Sequence, residues 1–88
     1  MFEFEWDENK SKINKQKHGI SFEEAKKLFQ KEVKIYFAKE IKNEIRYLIS
    51  NYIGDKCYSA IFALRNGKIR IISVRRCRKN EEKRIKND

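Results

Sequence analysis

Asn66-Gly67 stands between two strand-like runs, CYSAIFALR (57–65) and KIRIISVRRC (68–77). Asn-Gly is the strongest short hairpin signal, because both residues tolerate the left-handed backbone that a tight turn between twisted strands needs. Gly54-Asp55 makes a similar break after EIRYLISNYIG (44–54), and VKIYFA (33–38) adds a weaker strand. Taken in order, these runs predict one antiparallel sheet.

The first half of the chain reads differently. Phe2, Phe4 and Trp6 alternate with Glu3, Glu5 and Asp7, the period of a half-buried strand. Asp7 is placed to cap a helix running to Lys17 or His18, and Gly19 to end it in the left-handed region. Ile13 is that helix's only aliphatic residue, so it is expected on the surface. Ser21 and Glu24 form a capping box, and Phe22, Ala25, Leu28 and Phe29 have helical spacing, predicting a second helix over 21–31. Glu81, Glu82, Lys83 and Arg84 point to a third helix after Cys77. The expected architecture is a single α+β domain over 1–88. It has an antiparallel sheet of four to five strands, two N-terminal helices and one C-terminal helix.

Composition sets the class. Eighty-eight residues suffice for one modest core, and six Phe, four Tyr and one Trp are too many for a disordered tail. No apolar run approaches the roughly 20 residues that span a bilayer. The opening residues do not fit a signal peptide, so a soluble, cytoplasmic protein with no membrane partner is expected. Cys57 and Cys77 have no CxxC spacing, which argues against a metal site, and free thiols are expected.

The net charge of +9 is unevenly spread. Residues 1–45 carry ten Lys against nine acidic residues, whereas 46–88 carry twelve Lys and Arg against four. All seven arginines (46, 65, 70, 75, 76, 78 and 84) fall in the second half. Arginine's flat fork suits phosphate, so an Arg-selective basic half points to nucleic acid or to an acidic protein partner. A merely solubilising surface would explain the lysines but not this concentration of arginine. Simple alternation on 68–76 puts Arg70, Ile72, Val74 and Arg76 on one face, and Ile69, Ile71, Ser73 and Arg75 on the other. The strand then reads as core at its centre and an anion site at its ends.

KHGISFEEA (17–25) and RNGKIRIISVRR (65–76) resemble the BrnT family, toxins of bacterial type II toxin–antitoxin modules with a RelE-like ribonuclease fold. The resemblance runs through Phe4-Glu5-Trp6-Asp7, Lys17-His18-Gly19, Ser21 to Ala25, Gly67, Ile69 to Ser73, and Arg75-Arg76 with Glu81, in order along nearly the whole chain. Ile85 stands where the family often has Tyr, and Val74 where its Ser-Ala-Arg has Ala. The resemblance implies a metal-independent endoribonuclease without a cofactor. It implies a cognate antitoxin as partner, RNA as substrate, and operator DNA contacted only through the antitoxin.

Metal-free RNA cleavage needs a base for the 2′-hydroxyl, cations for the charged phosphorane and an acid for the leaving oxygen. The catalytic candidates are Arg70, His18, Arg65 and Arg76, and the RNA-binding candidates Lys17, Arg75, Arg78 and Trp6. Each has a plainer reading. Arg70 suits an ion pair with Glu3 or Glu5, His18 a helix C-terminus, and Trp6 the core. Tyr47, Tyr52 and Tyr58 read mostly as sheet packing. The alternative function is a non-catalytic protein that binds RNA, or only an antitoxin, through the same basic face.

Overall fold

The computed structural model describes residues 2–86; Met1, Asn87 and Asp88, which the expected domain also takes in, lie outside the described residues. The elements are β1 (Phe4–Glu5), α1 (Glu8–His18), α2 (Phe22–Ala25) running into a 3-10 turn (Lys26–Leu28), β2 (Tyr36–Ile41), β3 (Glu44–Ile53), β4 (Lys56–Arg65), β5 (Lys68–Arg76) and α3 (Lys79–Lys86). The sheet order is β1-β5-β4-β3-β2.

Local signals set most boundaries. The Asp7 carboxylate accepts from the Asn9 and Lys10 amides, and Gly19 caps α1 at φ 76°. Ser21 and Glu24 close their capping box. Asn66 and Gly67 both take positive φ, the paired left-handed turn expected between β4 and β5. Lys42 and Asn43 make a turn of the same kind between β2 and β3, without a glycine to announce it. The second helix is shorter than its predicted 21–31 span. The chain tightens after Ala25, which drives Leu28 fully into the core.

The sheet is mixed rather than antiparallel. β1 lies parallel to β5, with Phe4 opposite Ile69 and Glu5 opposite Arg70. α1 and α2 carry the chain from β1 at one edge to β2 at the other, and the three hairpins that follow bring β5 back beside β1, running in the same direction.

β5 also departs from simple alternation. Ile61 of β4 pairs with Ser73, while Phe62 pairs with Ile71, so Ile72 is an extra residue that opposes nothing. Such a bulge reverses the side-chain phase beyond it. Ile69, Ile71 and Val74 therefore all face the helix-covered core, all at 7% exposure or less. Arg70 and Arg75, expected on opposite faces, share the other one.

α1 lies on the surface, as expected, but it docks through two polar residues. Ser11 and Asn14 are buried, while Ile13 is half exposed. β1 pairs with β5 only at Ile69 and Arg70, which leaves the rest of that edge open. Asn14 closes part of it: its Oδ1 accepts from the Val74 amide at 3.1 Å, and its Nδ2 donates to the Ile20 carbonyl at 2.8 Å. The Ser11 hydroxyl accepts from the Phe22 amide at 2.9 Å.

The cysteines are not free thiols. Cys57 and Cys77 are joined in a disulfide, with Cα atoms 5.3 Å apart. Tyr58 pairs with Arg76, so the next residues outward face each other, and the Cys77 amide donates to the Cys57 carbonyl. Twenty positions apart in sequence, they are neighbours across the ladder.

Asn14→Ala would leave the Val74 amide and the Ile20 carbonyl unpaired in the interior. It is expected to cost about 2 kcal/mol in urea unfolding with an unchanged slope. Reducing the disulfide releases a loop whose closure is worth about 3 kcal/mol in the chain-entropy account. Thiol reductant should therefore lower the thermal midpoint of the wild type and not that of Cys57→Ser/Cys77→Ser.

Candidate nucleic-acid interface

α1 and α2 cover one face of the sheet. The other is open except at one end, where α3 folds over it. A buried acid fixes α3 there. Glu81 is 4% exposed, and its carboxylate accepts from Arg75 Nη1 and Nη2 at 2.8 and 2.9 Å, from the Ser59 hydroxyl at 2.7 Å and from the Arg78 amide at 2.9 Å. The Arg75 fork, joined by the amide and the hydroxyl, overcomes burial and holds the acid down to a pKa of about 2. Tyr52 donates to Glu82 at 2.6 Å, a bond that pushes the phenol's pKa up, and Arg84 stacks 4.1 Å from the Tyr36 ring centre.

Between α3 and the strands runs a groove of about 430 Å³. Lys39, Arg46, Arg75, Arg78 and Arg84 line it, with Ile61, Ile72 and Ser73 at its floor and Glu81 its only acid. Five cations against one carboxylate, itself bound to Arg75, leave the groove strongly positive.

The expected site residues distribute unevenly around it. Arg75 and Arg78 are in the groove. Arg70 is on the same face but outside the lining, paired with Glu5 at 3.2 Å, the ion pair its sequence position suggested. Arg65 lies further toward the turn. Its Nε and Nη2 hold both oxygens of Glu44 at 2.7 and 3.0 Å, which lowers the acid's pKa and raises the guanidinium's. Lys17 and His18 are in a separate hollow of about 220 Å³ between α1 and β5. That hollow shares Ile72 and Ser73 with the groove, so the bulge is the ridge between the two.

Two candidates are on the wrong side for this groove. Arg76, expected on one face with Arg70, is moved by the bulge to the helix side, where it lies 5.7 Å from the Tyr58 ring centre and donates to the Cys57 carbonyl. Trp6 packs edge-on against Phe22 and donates to Glu8, the core reading of that residue. Lys39, Arg46 and Arg84 line the groove without having been singled out. Strand register and the docking of α3 bring them there, and no local motif marks either. Among the described residues no group of three His, Cys, Asp or Glu is placed to hold a metal ion. No helix among them is long and apolar enough to cross a membrane.

The geometry defines a small basic α+β domain with one packed sheet face and one open, arginine-lined one. The family model for the ribonuclease toxin BrnT of type II toxin–antitoxin systems matches residues 6–81, and the chain belongs to that family. Membership makes it the ribonuclease toxin of such a module and implies an antitoxin partner. No curated protein matches the chain.

Glu81 yields a pH prediction. A carboxylate held below its ordinary value contributes stability that is complete above that value and is lost as pH falls through the folded one. For Glu81 the window runs from 4.5 down to about 2. Glu24, held equally low by Lys15, is 47% exposed and screened, so it adds less. Glu81→Gln should lower stability at pH 7 by about 3 kcal/mol, as expected for a buried ion pair that loses one partner. It should also flatten the fall in unfolding free energy between pH 4.5 and 2.5.

Proposed function

We propose that the chain is a metal-independent endoribonuclease that cuts RNA and so inhibits translation in the cytoplasm. A cognate antitoxin neutralises it and carries any contact with operator DNA. The observation that carries this reading is the groove, in which five cations converge on an open sheet face. Single-stranded RNA laid along it would set its phosphates against Arg75, Arg78, Arg84 and Lys39. Arg70, in the same cross-strand row as Lys39 on that face, would take the charge that develops on the scissile phosphate. Lys17 and His18, across the Ile72–Ser73 ridge, supply a phosphate contact and a group for proton transfer. Arg65 orders Glu44 and the β4–β5 turn, and Arg76 is left outside the reacting face. On the helix side Phe2, Ile35, Ile45 and Leu64 are exposed around Tyr47, an apolar patch that suits a protein partner such as the antitoxin.

A second reading has its own support. The groove's one acid is fully engaged, and its lining contains no histidine. A surface built this way binds phosphate without needing to cut it, as a non-catalytic RNA- or antitoxin-binding protein would.

Cleavage of total RNA in EDTA decides between them. Wild type is expected to cut, and Arg70→Ala and His18→Ala each to cut at least tenfold more slowly with unchanged melting temperatures. Intact RNA with folded wild type, alongside steeply salt-dependent binding, would favour the second reading.

A further inference from the structure

Arg46 is one of the five groove cations, but no contact of its own has been assigned to it. On β3 it is directly opposite Ala63, and Ala63 is opposite Arg70 on β5. Lys39 is opposite Arg46, and Glu5 is opposite Arg70. One row of side chains therefore crosses the whole open face: Lys39, Arg46, Ala63, Arg70, Glu5. Directly paired residues project from the same face. Arg46 and Arg70 thus rise from strands about 10 Å apart, at two ladder spacings. Ala63, the residue between them, is fully buried, so the neighbouring side chains close over it. Two cationic arms rooted on either side of a single small residue can share a tetrahedral anion between their forks.

The hydrogen bonding singles out the arms. Arg65 and Arg75 each commit two nitrogens to a carboxylate. Arg70 makes one hydrogen bond, from Nη1 to Glu5, and keeps its other donors. Arg46 makes none among the described residues. Its nearest carboxylate oxygen, on Glu44, is 3.9 Å from Nε, and that acid already serves Arg65. Arg46 Nε is buried with no partner, and the side chain is only 23% exposed, so water compensates it poorly. A guanidinium has five donors, and one left in this state gains most from an arriving anionic oxygen.

We propose that Arg46 and Arg70 together seat a phosphate of the RNA backbone above the covered Ala63, closing on it from either side, with Glu5 steadying Arg70. This rests on the RNA reading of the same face and adds the side chain that completes the anion site.

The test uses a single-stranded 2′-O-methyl oligoribonucleotide, which lacks the attacking hydroxyl, with anisotropy followed across a salt series. Arg46→Gln is expected to weaken binding at least tenfold and to reduce the logarithmic salt slope by about 0.7, the value for one lost phosphate contact on a single strand. Lys27→Gln removes one charge from the helix-covered side and should stay within twofold of wild type. Cleavage of unmodified RNA is scored separately. Arg46→Gln that binds as tightly as Lys27→Gln would overturn the phosphate seat while leaving the ribonuclease reading in place. Wild type that neither binds nor cuts RNA would overturn both. If Arg46→Gln melts well below wild type, Arg46→Lys decides. It keeps the charge and loses the fork, and at least a threefold loss is expected; wild-type affinity there overturns the proposal.

Discussion

A carboxylate almost sealed from water stays charged only if its surroundings donate to it from several sides. Glu81 meets that condition with an arginine fork, a hydroxyl and a backbone amide, each from a different part of the chain. The arrangement fixes α3 against β4 and β5 in one register. It also decides where Arg78 and Arg84 stand, because both belong to the segment Glu81 holds down. The groove exists because one wall is pinned by this acid while the floor is the sheet. The Cys57–Cys77 disulfide anchors the start of the same segment from below.

The two faces of the sheet solve opposite problems. On the helix side, Phe22, Phe62, Ile71 and Val74 exclude water, and the buried polar groups Ser11 and Asn14 close backbone gaps. On the open side, like charges are brought close together. Glu5, Glu44 and Glu81 each hold one arginine, so the cluster does not drive itself apart before a ligand arrives. Anchoring costs donors. Arg65 and Arg75 are well ordered and largely committed, while Arg70 and Arg46 keep capacity for a partner. The distribution of hydrogen bonds, more than the count of cations, separates scaffold from site.

Much of this was legible in the sequence, for local reasons. Asn66-Gly67 can hardly be other than a hairpin turn, and Asp7, Gly19 and the Ser21–Glu24 box set helix ends through neighbours at most three residues away. The bias of arginine toward the second half anticipated the basic face. The rest depended on pairings that no window of sequence contains. The parallel placement of β1 follows from the succession of hairpins that brings β5 back beside it. The disulfide follows from ladder register, and the burial of Ser11 and Asn14 on an otherwise exposed α1 from an edge that needed closing. Arg46 looked like one basic residue among many, because its partners lie on three other strands.

The extra residue at Ile72 has a further consequence. In a structure of period two, one inserted residue re-sorts every side chain beyond it, and so does one removed. Here the bulge absorbs the extra residue: with Ile72 kept and the bulge flattened, continued alternation along β5 would turn Arg75 toward the packed interior and Val74 toward the groove. The composition, net charge and motif content of the chain would be unchanged. Whether this basic sequence presents its cations or tries to bury them is therefore a matter of phase. A chain that kept this residue in a flat strand would share all of this chemistry and turn a different surface to the solvent.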